Sequence, residues 1–140
     1  MSLQVRLLSP AEAFAVERLQ LADGQERFLP EKLILVDRFQ LWGLYQGEEL
    51  LAFVEVVGEP PLLWIARIGV AAPYQGMGYG AYLLRQVIAQ LRRRARINEL
   101  RAAIHVENEP AQRLFASVGF MPLSSVEAVG EEIVYALSLR

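Results

Sequence analysis

Residues Pro73 to Gln86 read PYQGMGYGAYLLRQ. A helical apolar stripe starts directly after three glycines spaced one residue apart, and no Ser, Thr, Asp or Asn stands where the helix opens. A helix N-terminus leaves about four N–H groups without intrahelical partners, and one of those residues normally accepts from them. The missing cap predicts one supplied from outside the polypeptide, most naturally an anion such as a phosphate. From Pro60 to Asn98 there is no Asp or Glu, while Arg67, Arg85, Arg92, Arg93, Arg94 and Arg96 fall inside that window. The last four also suit the C-terminal end of a helix dipole, so the glycines carry the argument.

Working outward, Gly80, Leu83, Leu84, Val87, Ile88, Leu91 and Ala95 recur at three- and four-residue spacing, which predicts a helix of about four turns. A strand follows at 100–106. Upstream, Leu62 to Val70 reads as a strand, so strand, helix and strand form a crossover that demands parallel pairing. Gln40 to Tyr45 and Leu50 to Val57, joined by Gln46-Gly47-Glu48-Glu49, read as a hairpin antiparallel to Leu62–Val70. Near the N-terminus Val5 to Leu8 is a short strand. Ser9-Pro10-Ala11-Glu12 is a capping box opening a helix to about Leu21, with a loop at 22–27 and a short helix after Pro30. Pro110 opens a short helix ended by Gly119, and Phe120–Val126 with Ile133–Leu139 close the chain as a hairpin. The expectation is one α/β domain over residues 1–140, built on a mixed sheet.

Composition narrows the classes of function. The chain has 140 residues, no cysteine and a net charge of −2, from 14 basic and 16 acidic residues. Disulfides, thiolate metal sites and a cysteine nucleophile are excluded, and with His105 as the sole histidine no metal site is expected. Bulk charge gives no reason to expect nucleic acid. No apolar run approaches the ~18 residues of a membrane span, and the first residues do not read as a signal peptide, so a cytoplasmic protein is expected.

Three phosphate-binding patterns compete for the glycine loop. Gly76-x-Gly78-x-x-Ala81 matches the relaxed dinucleotide fingerprint, but that motif follows a fold's first strand, and Glu99 and Glu107 do not stand where its acidic partner belongs. A P-loop lacks its Gly-Lys-Ser/Thr. The stretch Ile68 to Gly80, IGVAAPYQGMGYG, resembles instead the acetyl-CoA signature of the GCN5-related N-acetyltransferases, with Gln75, Gly78 and Gly80 at its fixed positions. Asn108, Ala111, Leu114 and Gly119-Phe120 resemble that family's second signature. The resemblance implies the GNAT acyl-CoA N-acyltransferase fold, with a mixed central sheet splayed between the strands at 62–70 and 100–106.

It further implies acetyl-CoA as co-substrate, transferring its acetyl group to an amine. Gln75, Gly76, Met77, Gly78, Tyr79 and Gly80 would wrap the pyrophosphate. The amides of Ile68 and Val70 would pair with the pantetheine arm, with Gly69 between them also at the cofactor, and the Ile68 amide would serve as oxyanion donor. Asn108 would hold the cofactor, or simply cap a helix. Phe115 stands seven residues after Asn108, where the family commonly has a Tyr general acid, and is expected at the cofactor. Trp64 and Ala103 stand where a Glu base is common.

His105 shares the strand face of Ala103 and is a candidate base, with Glu107 extending that row if the strand continues; a packed, hydrogen-bonded His is the plainer reading. Glu55 is a second candidate, against an exposed strand residue. Tyr74, Tyr79 and Tyr82 are substitute acids or packing aromatics. The departures leave open a non-catalytic acyl-CoA binding or sensing domain, or a purely structural one. The acceptor, a small-molecule or protein amine, carries no signature. A homodimer through the sheet edge or last hairpin is a further expectation.

Overall fold

The computed structural model describes residues 2–9, 12, 39–94, 96–123 and 131–139. Ser9 and Glu12 form the reciprocal pair of the predicted capping box, the Ser9 amide donating to Glu12 Oε1 at 3.1 Å and the Glu12 amide to Ser9 Oγ at 3.3 Å. The helix to Leu21, the loop at 22–27, the short helix after Pro30, Ala95 and residues 124–130 of the closing hairpin lie outside the described residues.

Among the described residues seven strands form one sheet in the order β1-β2-β3-β4-β5-β7-β6. They are β1 (Leu3–Leu7), β2 (Phe39–Gln46), β3 (Glu49–Glu59), β4 (Leu62–Val70), β5 (Glu99–His105), β6 (Met121–Pro122) and β7 (Glu132–Ser138). Strands β1 to β4 are antiparallel neighbours, and the predicted parallel pair is β4 with β5. The long helix α1 (Tyr79–Arg93) makes the crossover between them, and the short helix α2 (Glu109–Ser117) follows β5. Of the predicted strand Phe120–Val126, the described part pairs as β6 over Met121–Pro122, and residues 124–126 lie outside the described residues. Pro122 has no N–H to give, and such a residue belongs at a sheet edge.

Helix α1 buries Gly80, Leu83, Leu84, Val87, Ile88 and Leu91, the stripe read from the sequence. It packs them with Leu44, Ala52, Val54 and Val56 of β2 and β3, Leu63 and Ile65 of β4, and Leu100, Ala102 and Ile104 of β5. Each fully buried Leu or Val contributes roughly 1.5–3 kcal/mol. The alternate residues Leu41, Leu51 and Phe53 are also almost fully buried, so the sheet centre is covered on both faces.

Two irregularities shape the middle of the sheet. Pairing of β4 with β5 runs only from Leu62↔Glu99 to Trp64↔Arg101, after which the strands part. Immediately beyond, the β3–β4 register shifts: Val56 faces Ile65 but Glu55 faces Arg67, leaving Ala66 as an extra residue. A bulge bends the strand that carries it, and this one sits where β4 leaves its parallel neighbour.

Candidate active site

Helix α1 opens on Gly78, which takes the left-handed conformation (φ 81°) with no side-chain cap and no acidic residue in the first turn. Gly76 is also left-handed (φ 77°), and a Cβ on either glycine would meet nothing within 4 Å. The first intrahelical bond is Tyr82 N–H to the Gly78 carbonyl at 3.0 Å, so the amides from Gly78 to Ala81 have no partner within the helix. These groups sit at the positive end of the helix, where an anion is favoured. Gln75 departs from its expected part in that cradle. Its amide donates to the Ala72 carbonyl at 3.3 Å, closing the turn Ala72–Tyr74. Its side chain donates to the Val70 carbonyl at 2.7 Å.

That contact orients the end of β4. The Ala71 amide donates to the Leu51 carbonyl of β3 at 2.8 Å, and main-chain groups of successive strand residues point to opposite sides. Val70 and Ile68 therefore aim their N–H and C=O groups away from β3, toward the gap left by β5.

A cavity of about 290 Å³ occupies this corner. Ile68, Gly69 and Val70 of β4 line it, with Gln75, Gly76, Gly78, Tyr79 and Gly80 of the loop and helix start, and Asn108. Tyr74, Ala81, Pro110, Ala111 and Leu114 join them. A second, inner cavity of about 50 Å³ runs on between the parted strands, walled by Ile65 to Ile68, Ala102 to Ile104, Ala111 and Phe115. Ile68 and Ala111 border both.

Two expected cofactor residues stand apart from the larger cavity. Met77 is 60% exposed and does not line it, because it projects from the loop between two left-handed glycines. Phe115 is buried edge-on against Phe120 with ring centroids 5.0 Å apart, and reaches only the inner cavity. Gly80 is buried, and a Cβ there would lie 3.4 Å from Val70 Cγ2 and 3.5 Å from Leu114 Cδ2. A methyl group there would sit in ordinary van der Waals contact with β4 and α2. Asn108 caps α2, its side-chain oxygen accepting from the Ala111 amide at 3.2 Å, and lines the cavity at the same time.

Neither candidate base lines either cavity. His105 ends β5, bonded through Nε2 to Glu131 at 2.8 Å while the Glu107 amide donates to Nδ1 at 3.1 Å. An amide donating to Nδ1 leaves the proton of the neutral ring on Nε2. The strand stops at His105, so Glu107 does not extend its row. Glu55 is not an exposed strand residue; it is 3% exposed and ion-paired with buried Arg67, Nε to Oε1 3.5 Å.

Tyr74, absent from the expected cofactor set, lines the cavity and donates to Glu49, 2.6 Å from Oε2. That hydrogen bond holds its phenol above the ordinary value. The partners lie twenty-five residues apart in sequence, too far for a local pattern to pair them. Of the arginines, Arg92 and Arg93 fall in the last turn of α1, about 20 Å from the loop by helix rise, as the dipole reading had it. Arg85 donates to the Ser117 carbonyl at the end of α2, 3.2 Å away. Among the described residues no group of three or more His, Cys, Asp or Glu could hold a metal, and no helix is long and apolar enough to cross a membrane.

A mixed sheet that parts between β4 and β5, with an uncapped glycine-led helix start beside the gap, is the arrangement that the acetyl-CoA signature implies. The chain belongs to the acetyltransferase (GNAT) family, whose sequence profile matches residues 7–120. No curated protein sequence matches it. Among solved structures it is similar to the ribosomal-protein-S18-alanine N-acetyltransferase from Escherichia coli, with a TM-score of 0.78, 20% identity, and coverage of 99% of this chain and 94% of that one. It is similar to the PaiA N-acetyltransferase from Thermoplasma acidophilum in complex with coenzyme A, with a TM-score of 0.79, 14% identity and 99% of each chain covered. A third is the spermidine N-acetyltransferase from Vibrio cholerae in complex with CoA and spermine, with a TM-score of 0.75, 14% identity and coverage of 98% and 95%. The protein is thus an N-acetyltransferase that uses acetyl-CoA as co-substrate and an amine as acceptor.

Proposed function

We propose that the cavity at the start of α1 takes the diphosphate of acetyl-CoA and that the inner cavity receives its acyl end. The observation that carries this reading is the uncapped turn at Gly78, whose helix-start amides open on a cavity continuing into the splay. Gly76, Gly78, Tyr79 and Gly80 offer main-chain donors to the diphosphate, with Gln75 bracing the loop through Val70. The main-chain groups of Ile68 and Val70 offer strand-like pairing to the pantetheine arm. Asn108, with its oxygen taken by Ala111, offers its Nδ2 hydrogens.

Acetyl-CoA supplies the activated acyl carbon. The Ile68 amide faces the charge that develops on the acyl oxygen, and one such donor is worth roughly 3 kcal/mol. Ile65, Ala102, Ile104 and Phe115 give it largely apolar surroundings beside Arg67, and an apolar environment strengthens such an interaction. The acceptor's proton goes to solvent, and the leaving thiol, with a pKa near the ~8.5 of cysteine, departs without a donor at Phe115. His105 and Glu55, held by Glu131 and Arg67, play supporting parts.

The acceptor is a primary amine on a small molecule or peptide, and the setting is the cytoplasm, with which the absence of cysteine agrees. Residues 1–140 form one acetyltransferase domain, supported by strands from Leu3 to Ser138 sharing one sheet. The test is calorimetry with CoA, followed by thiol release from acetyl-CoA over an amine panel. Micromolar binding with release on at least one amine is expected; no CoA binding overturns the assignment of the site.

A further inference from the structure

Arg67 and Glu55 face each other across β3 and β4, only 5% and 3% exposed, and the guanidinium carbon lies 5.3 Å from the centre of the Phe53 ring. Burying two charges is costly, and an apolar pair of similar volume commonly holds such strands together as well or better. The pair's place in the register is more informative than its energy.

It is the first pair past the bulge at Ala66. Before the bulge, Leu63 and Ile65 face the core under α1. With a period of two, an unbulged β4 would send residue 67 to that same face and put a guanidinium among Leu83, Leu84 and Val87. It would also turn the Ile68 amide toward β3, into the ladder. The extra residue reverses both. Arg67 moves to the opposite face beside Glu55, Ile68 packs against the core, and the Ile68 amide points into the gap. Buried ionic groups are best attested as devices that choose one register over another.

We propose that the Glu55–Arg67 pair is a positioning device that locks the bulged register of β4 and thereby aims the Ile68 amide at the acyl group. This rests on the reading of Ile68 as oxyanion donor. Glu55 is a positioning residue, and it neither takes nor gives a proton in the reaction.

The experiment follows the Ile68 amide by nitrogen-15 NMR in the full-length protein, comparing CoA with acetyl-CoA. In the wild type, Ile68 is expected among the amides that differ most between the two ligands. In Glu55→Leu/Arg67→Leu the penalty on the unbulged register is gone, and the Ile68 difference is expected to fall at least threefold while Gly76 and Gly78 still respond to CoA. Arg67→Lys keeps a cation that the α1 core rejects, so it should retain the wild-type response and keeps the test decisive if the double variant does not fold. A full-sized Ile68 response in the double variant, or its loss in Arg67→Lys, overturns the proposal. So does a Glu55→Gln enzyme whose thiol-release profile loses its dependence on pH at the acid side, since Glu55 would then be a base. A wild-type Ile68 indifferent to the acetyl group, beside a responsive glycine loop, removes the donor reading itself, which separates the two failures.

Discussion

Gln75 fastens the glycine loop to the last residue of β4, its Nε2 donating to the Val70 carbonyl at 2.7 Å. The same residue's amide closes the preceding turn, so loop and strand end move together. One such bond contributes about 1 kcal/mol, or roughly fivefold in a binding constant. Gln75→Ala should weaken CoA binding by about that factor in calorimetry. Gln75→Glu should weaken it more, because an acceptor would then face a carbonyl. Unchanged affinity in both would mean that the glycines alone shape the loop.

Two glycines two residues apart should answer the same substitution differently. Gly78→Ala meets no neighbour but must hold φ at 81°, which costs an L-residue about 1–2 kcal/mol. Gly80→Ala gains up to about 1 kcal/mol of helix propensity and meets Val70 and Leu114 at 3.4 and 3.5 Å, within ordinary contact. Urea unfolding should show Gly78→Ala destabilised and Gly80→Ala close to wild type. The reverse order would contradict the backbone described for α1.

Asn108 separates capping from ligand binding. Asn108→Ala loses the bond from Ala111 and should cost about 0.5–2 kcal/mol of stability, together with CoA affinity. Asn108→Asp keeps an oxygen for the cap but loses the amide hydrogens, so stability should hold while affinity drops. If Asn108→Asp binds CoA like the wild type, the side chain is a cap and nothing more.

With Phe115 at the usual position of the acid, the pH–rate profile should lack a falling limb at high pH. Below the acceptor's pKa, the neutral amine increases tenfold per pH unit, so kcat/KM should climb with slope one toward about 8 for an α-amine or about 10.4 for a lysine-like amine. A bell-shaped profile peaking near neutrality would reveal a protein acid that this site does not supply.

The capping box makes a separate pH prediction. The Ser9 main-chain hydrogen bond, then the one with its side chain, holds the Glu12 carboxyl below its ordinary 4.5. A carboxyl whose folded pKa is depressed stabilises the fold above its unfolded value, and that contribution vanishes as pH falls through the folded value. The denaturant midpoints of wild type and Glu12→Gln should therefore differ at pH 7 and converge as the pH falls through the depressed pKa of the folded carboxyl.

The legible parts of the fold were those set by local rules. The stripe from Gly80 to Leu91 announces α1 by its period, and Gly76 and Gly78 announce the loop because few other residues tolerate those backbone angles. Asn108 before Pro110 announces a helix start. The bulge at Ala66 was hidden, because alanine carries no signal for it and the shift exists only relative to β3. The Glu55–Arg67 pair depends on that register, which is why Glu55 read as a surface carboxylate or a base. Phe115 was placed by motif spacing, and its packing on Phe120 drew it away from the larger cavity.

The brief contact between β4 and β5, three residue pairs long, has an architectural meaning. Among the described residues it divides the sheet like an opened book, whose leaves, β1 to β4 and β5 to β7, are joined by a short spine of backbone pairing and by the core under α1. A pantetheine arm laid between them would serve as the absent page, completing the ladder from both sides.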